Sequence, residues 1–177
     1  MGEASVNLFV LDEKPTRAAF MLDDVRVGKM LIETGQMLAT ALRQHGATDE
    51  DLIEVGFITS KGTPWRSTHA NHPCTRWVAE TNANAWWAWE HAEGLAWVYR
   101  NRFDREHACA RPIHKAWLLI DRFIPHGERT PFVLAMPDEF KSDDPIDSYR
   151  RYYLSKENVK WERMPRDGLW IVEYTTG

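Results

Sequence analysis

The sequence predicts a mainly α, compact single-domain fold with at most a short two-stranded β element. Three observations predict it. Apolar residues recur at three and four residue steps from Val27 to Leu42. Prolines stand where helices begin, at Pro15, Pro73 and Pro145. The runs of strand composition, residues 6–11 and 169–174, are short and far apart. A length of 177 residues suits one core over 1–177, and 44% hydrophobic residues against 27% charged ones supply enough apolar surface to offset the entropy lost on folding. Residues 1–5 read as a flexible N-terminal extension.

Residues 6–11, VNLFVL, end in charged residues before Pro15 and read as a strand or an extended lead-in. Pro15 suits the first position of a short helix through residue 22, because the amide hydrogen it lacks would be unbonded there in any case. Asp23 and Asp24 can cap the next helix, the clearest element of the chain. Its apolar positions Val27, Met30, Leu31, Leu38, Ala41 and Leu42 share a face, and the pattern stops at His45-Gly46. Residues 47–60 read as irregular or locally helical, and 61–65 (KGTPW) as a turn. Pro73 starts another helix capped by His72 or Asn71. Two helices, or one broken at 81–84, then reach about Arg102, with Trp77, Val78, Trp86, Trp89, Leu95 and Trp97 available for burial. Residues 114–124 are helical up to Pro125, and 136–141 form a polar turn. Asp144-Pro145 opens a helix that places Tyr149, Tyr152 and Tyr153 on a common side. Residues 169–174, LWIVEY, read as a short strand or extended tail able to pair with residues 6–11.

Composition narrows the function classes. A net charge of -4 removes the simplest argument for a nucleic-acid binder, a strongly basic chain, while leaving room for a local basic groove. Cys74 and Cys109 are too few for a disulfide framework and match no zinc spacing, so they read as free buried thiols of a reducing cytoplasm. His69-x-x-His72 has no third ligand in sequence reach, so no metal is expected, and no motif implies a cofactor. The most aromatic window, 86–99, is interrupted by Glu90, His91 and Glu93, and no membrane segment is expected.

Three groups of residues could carry chemistry. Arg26, Lys29, Glu33, Gln36 and Thr40 share a second stripe of the long helix, which reads either as a solvated face of ordinary ion pairs or as a substrate-facing one. His69, Asn71 and His72 either hydrogen-bond their loop and cap a helix or contact a phosphate or base. Tyr149 to Tyr153, with Arg150 and Arg151 between the rings and Lys141 and Lys156 on either side, mix cations and aromatics. That mixture grips nucleic-acid strands, although the tyrosines can equally be core.

The strings 24–38 (DVRVGKMLIETGQML), 68–77 (THANHPCTRW) and 136–141 (MPDEFK), with 149–153 (YRRYY), resemble a family of small bacteriophage proteins of unsettled function. More distantly, the order of extended N-terminus, charged helix, Asn-His-Pro segment, long helix and Arg-aromatic end (residues 100–104) is similar to the pyrimidine-dimer DNA glycosylases of the endonuclease V type. That second resemblance covers roughly residues 6–113. It implies a compact helical enzyme that flips a nucleotide and excises a damaged pyrimidine through its N-terminal α-amine, assisted by a glutamate near the start of the charged helix. The chain departs from this pattern in two places. Residues 1–5 precede the extended segment, and Asp24, not a glutamate, stands at the helix start, with Glu33 nine residues later.

The expected function is therefore that of a DNA-base glycosylase-like enzyme, acting on a damaged or modified pyrimidine by carboxylate or amine chemistry. Glu33 and then Asp24 are the candidate carboxylates. Arg26, Lys29, Gln36, His69, Asn71, His72, Lys141, Arg150 and Tyr153 are the candidate contacts to a DNA or nucleotide substrate. The alternatives are another nucleotide or modified-base enzyme, and a non-catalytic phage protein that binds nucleic acid or a host factor.

Overall fold

The computed structural model describes residues 6–176, so the extension 1–5 and its α-amine lie outside the described residues. The helices are α1 (Pro15–Met21), α2 (Asp24–Gln44), α3 (Asp49–Val55), α4 (Pro73–Glu80), α5 (Asn82–Phe103), α6 (Ala110–His114), α7 (Trp117–Phe123), α8 (Pro145–Leu154) and α9 (Trp170–Thr176), with 3-10 turns over Asp138–Phe140 and Pro165–Gly168. An isolated antiparallel bridge between Ile58 and Pro64 is the β pairing among the described residues, within the mainly α class the sequence predicts. No helix among them is long and apolar enough to cross a membrane.

Local signals start most of these helices. Pro15, Pro73 and Pro145 each take a first-turn position. Thr48 and Asp51 form a reciprocal capping box at α3, and Thr81 breaks α4 from α5 by accepting from the Asn84 amide. At α4 the cap is His72, whose Nδ1 accepts from the Cys74 amide at 3.1 Å, while Asn71 lies one residue upstream. The Asp144 carboxylate accepts from the amides of Ile146 and Asp147 and starts α8.

The two long helices, α2 and α5, pack together at the centre, with α1 against α5 and α4 against both. The apolar residues of α5 are spread around the helix rather than gathered on one face, and it buries Ala85, Trp87, Ala88, Ala92, Leu95 and Val98. Its Gly94 leaves no room for a β-carbon: one built there would meet Ala19 Cβ at 2.8 Å and the Thr16 backbone at 3.2 Å, so α1 lies directly on α5. Trp77, Trp87 and Leu95 are buried, and Trp86 and Trp89 are half-buried with their indole N–H groups donating to Asp121 and the His114 carbonyl. Trp97, expected as a core residue, is instead 51% exposed, with its ring edge-on to Phe20. Cys74 and Cys109 are free and buried, and burial pushes the Cys74 thiol up to about 11.

Two expectations for the chain ends are corrected. Residues 6–11 are buried but form neither strand nor helix, with a turn at Phe9, whose carbonyl accepts from the Leu11 amide at 2.8 Å. Residues 169–174 fall mostly within α9. Trp170 and Tyr174 stand four apart, so a helix brings both rings to the protein: Trp170 donates to the Met21 carbonyl at 3.0 Å, and the Tyr174 hydroxyl bonds Asp147. Those anchors override the β-prone composition of LWIVEY.

Residues 157–170 form a strap over the corner between α1 and α2. The Lys160 carbonyl accepts from the Asp24 amide, Trp161 donates to the Leu22 carbonyl, and the Asp24 carboxylate accepts from the amides of Glu162 and Arg163. Beneath the strap lies the fully buried side chain of Arg102. It donates to the carbonyls of Leu22 at 2.6 Å and Phe20 at 3.0 Å and pairs with Asp24 at 3.3 Å and Asp167 at 2.9 Å.

His91 is the other buried titratable group at the α1–α5 contact. Its ring stacks on Trp87, and Nδ1 lies 2.9 Å from the Pro15 carbonyl, which requires that nitrogen to carry the proton. Burial outweighs this hydrogen bond and drives the imidazole down to about 4. A depressed folded-state value means the unfolded chain binds the proton more readily, so the stability His91 supplies is present above pH 6.5 and drains as the pH falls towards 4. The loss amounts to about 3 kcal/mol. Denaturant unfolding at stepped pH should show a steep acid limb in the native protein and a shallower one in His91→Gln, and parallel limbs would refute the assignment.

Candidate functional site

The stripe predicted on α2 divides between structure and site. Its site half is Lys29 and Glu33, one turn apart. Glu33 is 8% exposed, with Oε2 accepting from the backbone amide of Asn7 at 3.1 Å and Oε1 lying 3.8 Å from Lys29 Nζ. Burial raises the Glu33 carboxyl above the usual glutamate range, and the Asn7 amide, Lys29 and the nearby His69 pull against that rise without cancelling it. The group is therefore poised to exchange a proton nearer to neutral pH than a surface glutamate.

Asn7 is held as firmly as the acid it contacts. Its side-chain amide donates to the Ala135 carbonyl at 2.8 Å, and its Oδ1 accepts from the Phe9 amide at 2.8 Å. Two residues here, Phe9 with φ of 46° and His69 with φ of 51°, adopt the left-handed region that L side chains avoid. Backbone strain of this kind gathers where a chain must present groups in a set geometry.

Glu33 itself lines neither of two depressions to which its partners Lys29 and Asn7 belong. Lys29 reaches into the larger, about 730 Å³, together with Phe9, Arg26, Tyr152 and Lys156. Asn7 lines the smaller, about 310 Å³, with His72, Lys141 and the 134–137 segment, and Tyr152 borders both. Burial and the charge of His69 hold the His72 imidazole below its usual range, so it is neutral at physiological pH, and with Nδ1 taken by the Cys74 amide its Nε2 carries the proton and can donate a hydrogen bond. Gln36 faces a separate hollow of about 300 Å³ beside Thr59, Trp65 and Thr68. Thr40 is turned inward, bonding the Gln36 carbonyl and the Thr68 backbone. Asn71 is exposed near Arg76.

The remaining candidates lie elsewhere or carry structural bonds. Asp24 is committed to Arg102 and the strap. Arg26 reaches the larger depression but is paired to the buried Asp23 at 3.1 Å and lies over the Tyr153 ring. Tyr153 is fully buried, its hydroxyl donating to the Asp23 carboxylate and accepting from the Asp23 amide. Arg150 donates to the Leu11 carbonyl at 2.8 Å and lines a different cavity with Asp12, Arg17 and Trp170. Asn7, which donates to Glu33, and Phe9, Tyr152 and Lys156, which line the larger depression, join the predicted residues. Of these, Tyr152 within the tyrosine run and Lys156 flanking it carried a sequence signal, and Asn7 and Phe9 carried none as site residues.

Among the described residues no group of three or more histidine, cysteine, aspartate or glutamate side chains is placed to hold a metal ion. No family model, curated protein or solved structure matches this chain. The chemistry of the site therefore rests on its geometry.

Proposed function

We propose that the protein is a glycosylase-like enzyme that releases a damaged or modified pyrimidine from a nucleotide unit, with Glu33 as its proton-transfer residue. The observation that carries this reading is a buried carboxyl of raised pKa, fixed through one oxygen by the Asn7 amide and flanked at the other by Lys29, with Lys29 lining one depression and Asn7 lining another beside Lys141 and His72. In the ionised form Glu33 takes a proton from a water that adds to C1′ of the sugar. The bond from C1′ to the pyrimidine N1 breaks with its electron pair leaving on the base, which takes up a proton as it departs. Lys29 favours the carboxylate and supplies positive charge for a phosphate nearby, and His72, whose Nδ1 is occupied by the Cys74 amide, can donate a hydrogen bond from Nε2–H to base or sugar. Nucleotide flipping is the route by which such a site reaches a base in a duplex.

A second enzyme reading, action on a free or modified nucleotide, is favoured by the net charge of -4, because a single nucleotide presents few phosphates to neutralise. Incubation with DNA carrying ultraviolet photoproducts or modified pyrimidines, and with the matching free nucleotides, separates the two. Mass spectrometry of released base is the readout, with borohydride trapping of protein. Base release without a trapped adduct supports water activated by Glu33. Release with an adduct shows amine chemistry in its place. No release from any substrate, with DNA still bound, identifies a binding protein.

A further inference from the structure

The larger depression, into which Lys29 reaches, contains a cation that the reaction above does not use. Arg26 and Lys29 each have a carboxylate neighbour, Asp23 and Glu33. Lys156 has no carboxylate within ion-pair distance among the described residues. It is half-buried, donates one hydrogen bond to the Tyr152 hydroxyl at 2.7 Å, and holds its ammonium 4.1 Å from the centre of the Tyr152 ring and 6.0 Å from that of Phe9. An ammonium has three hydrogens to donate, so this geometry leaves Lys156 with donors for a ligand. The aromatic faces attract the ammonium without offering it an opposite charge. The acids of the depression, Glu139 and Glu157, are both exposed to solvent, where their charge is screened. Phe140 is only half-buried, with its ring centre 5.4 Å from that of Tyr152.

We propose that this depression is a nucleotide subsite in which Lys156, with Lys29, holds a phosphate and Phe140 receives the face of a pyrimidine. Lys29, the ion-pair partner of Glu33, joins this subsite to the carboxylate, and the proposal rests on the reading of Glu33 given above. A volume of about 730 Å³ accommodates one nucleotide unit, either free or as part of a strand. Aromatic stacking combined with a phosphate-binding cation is a general way to hold such a unit.

Calorimetric titration tests it with thymidine 5′-monophosphate, thymidine, inorganic phosphate and a short oligothymidylate. The nucleotide should bind at least tenfold more tightly than the nucleoside. Lys156→Met should erase that preference, and Lys156→Arg should restore most of it, with thermal melts showing that both variants fold. Tighter binding of the oligonucleotide identifies a strand as the source of the phosphate, and tighter binding of the monophosphate identifies a free nucleotide. Equal affinity for nucleotide and nucleoside, or no effect of Lys156→Met, overturns the subsite. Base release that survives Lys156→Met unchanged also overturns it and leaves the Glu33 reading standing. Nucleotide binding that depends on Lys156, in a protein releasing no base from any substrate, does the reverse.

Discussion

Replacing Arg102 with methionine is expected to cost the fold about 3–5 kcal/mol, a large share of the stability of a domain this size. The guanidinium makes bonds to two carbonyls at the end of α1 and to the carboxylates of Asp24 and Asp167, all beneath the strap. Methionine keeps much of the volume but strands those acceptors in a place that water reaches poorly. Lysine should recover only part of the loss, because a single ammonium cannot address four acceptors in the plane that a guanidinium spans. Urea denaturation followed by tryptophan fluorescence measures both variants. A loss below about 1 kcal/mol for Arg102→Met would show that the network is dispensable.

Glu33→Gln should separate chemistry from folding. Loss of the proton-transfer group is expected to slow base release about 100-fold to 10,000-fold. The folded protein should be no less stable at pH 8, since the amide oxygen can still accept from Asn7 and the burial of a charge is relieved. The sign follows from the raised carboxyl: the native state prefers the protonated acid, so the wild-type protein gains stability as the pH falls through the folded-state value towards 4.5 and loses it as the pH rises. The advantage of Glu33→Gln should therefore be largest in alkaline buffer and narrow in acid. A variant that melts well below wild type at pH 8 would mark Glu33 as a structural ion-pair partner.

Much of the fold was legible because its signals are local. Prolines at first-turn positions and the capping residues Thr81 and Asp144 act within a few residues, and the α2 periodicity extends through a single helix. The readings that failed depended on partners distant in the chain. LWIVEY carries strand-forming residues, and only the Met21 carbonyl and Asp147, remote in sequence, explain why it coils. Trp97 lies on a helix whose apolar residues are spread around its circumference, so periodicity could not say which indole would face out. At the site, Lys29 and Glu33 were visible as a one-turn pair. Asn7, 26 residues from Glu33, was not visible, because a backbone amide leaves no mark in the side-chain pattern. Arg150 and Tyr153 have the composition of a nucleic-acid grip, yet their bonds to Leu11 and Asp23 hold the architecture together.

The strap also sets an order of events during synthesis. The corner between α1 and α2 leaves the ribosome early, but Tyr153, Trp161, Asp167 and Trp170, which close it, are made well over a hundred residues later. Until then the carboxylates of Asp23 and Asp24 and the carbonyls at the end of α1 remain wet, and the α1–α5 pair can dock without being locked. Contacts of such long sequence separation form slowly and late. A nascent chain stalled before residue 160 should therefore be cut by protease at residues 20–26, and full release should be the event that protects them.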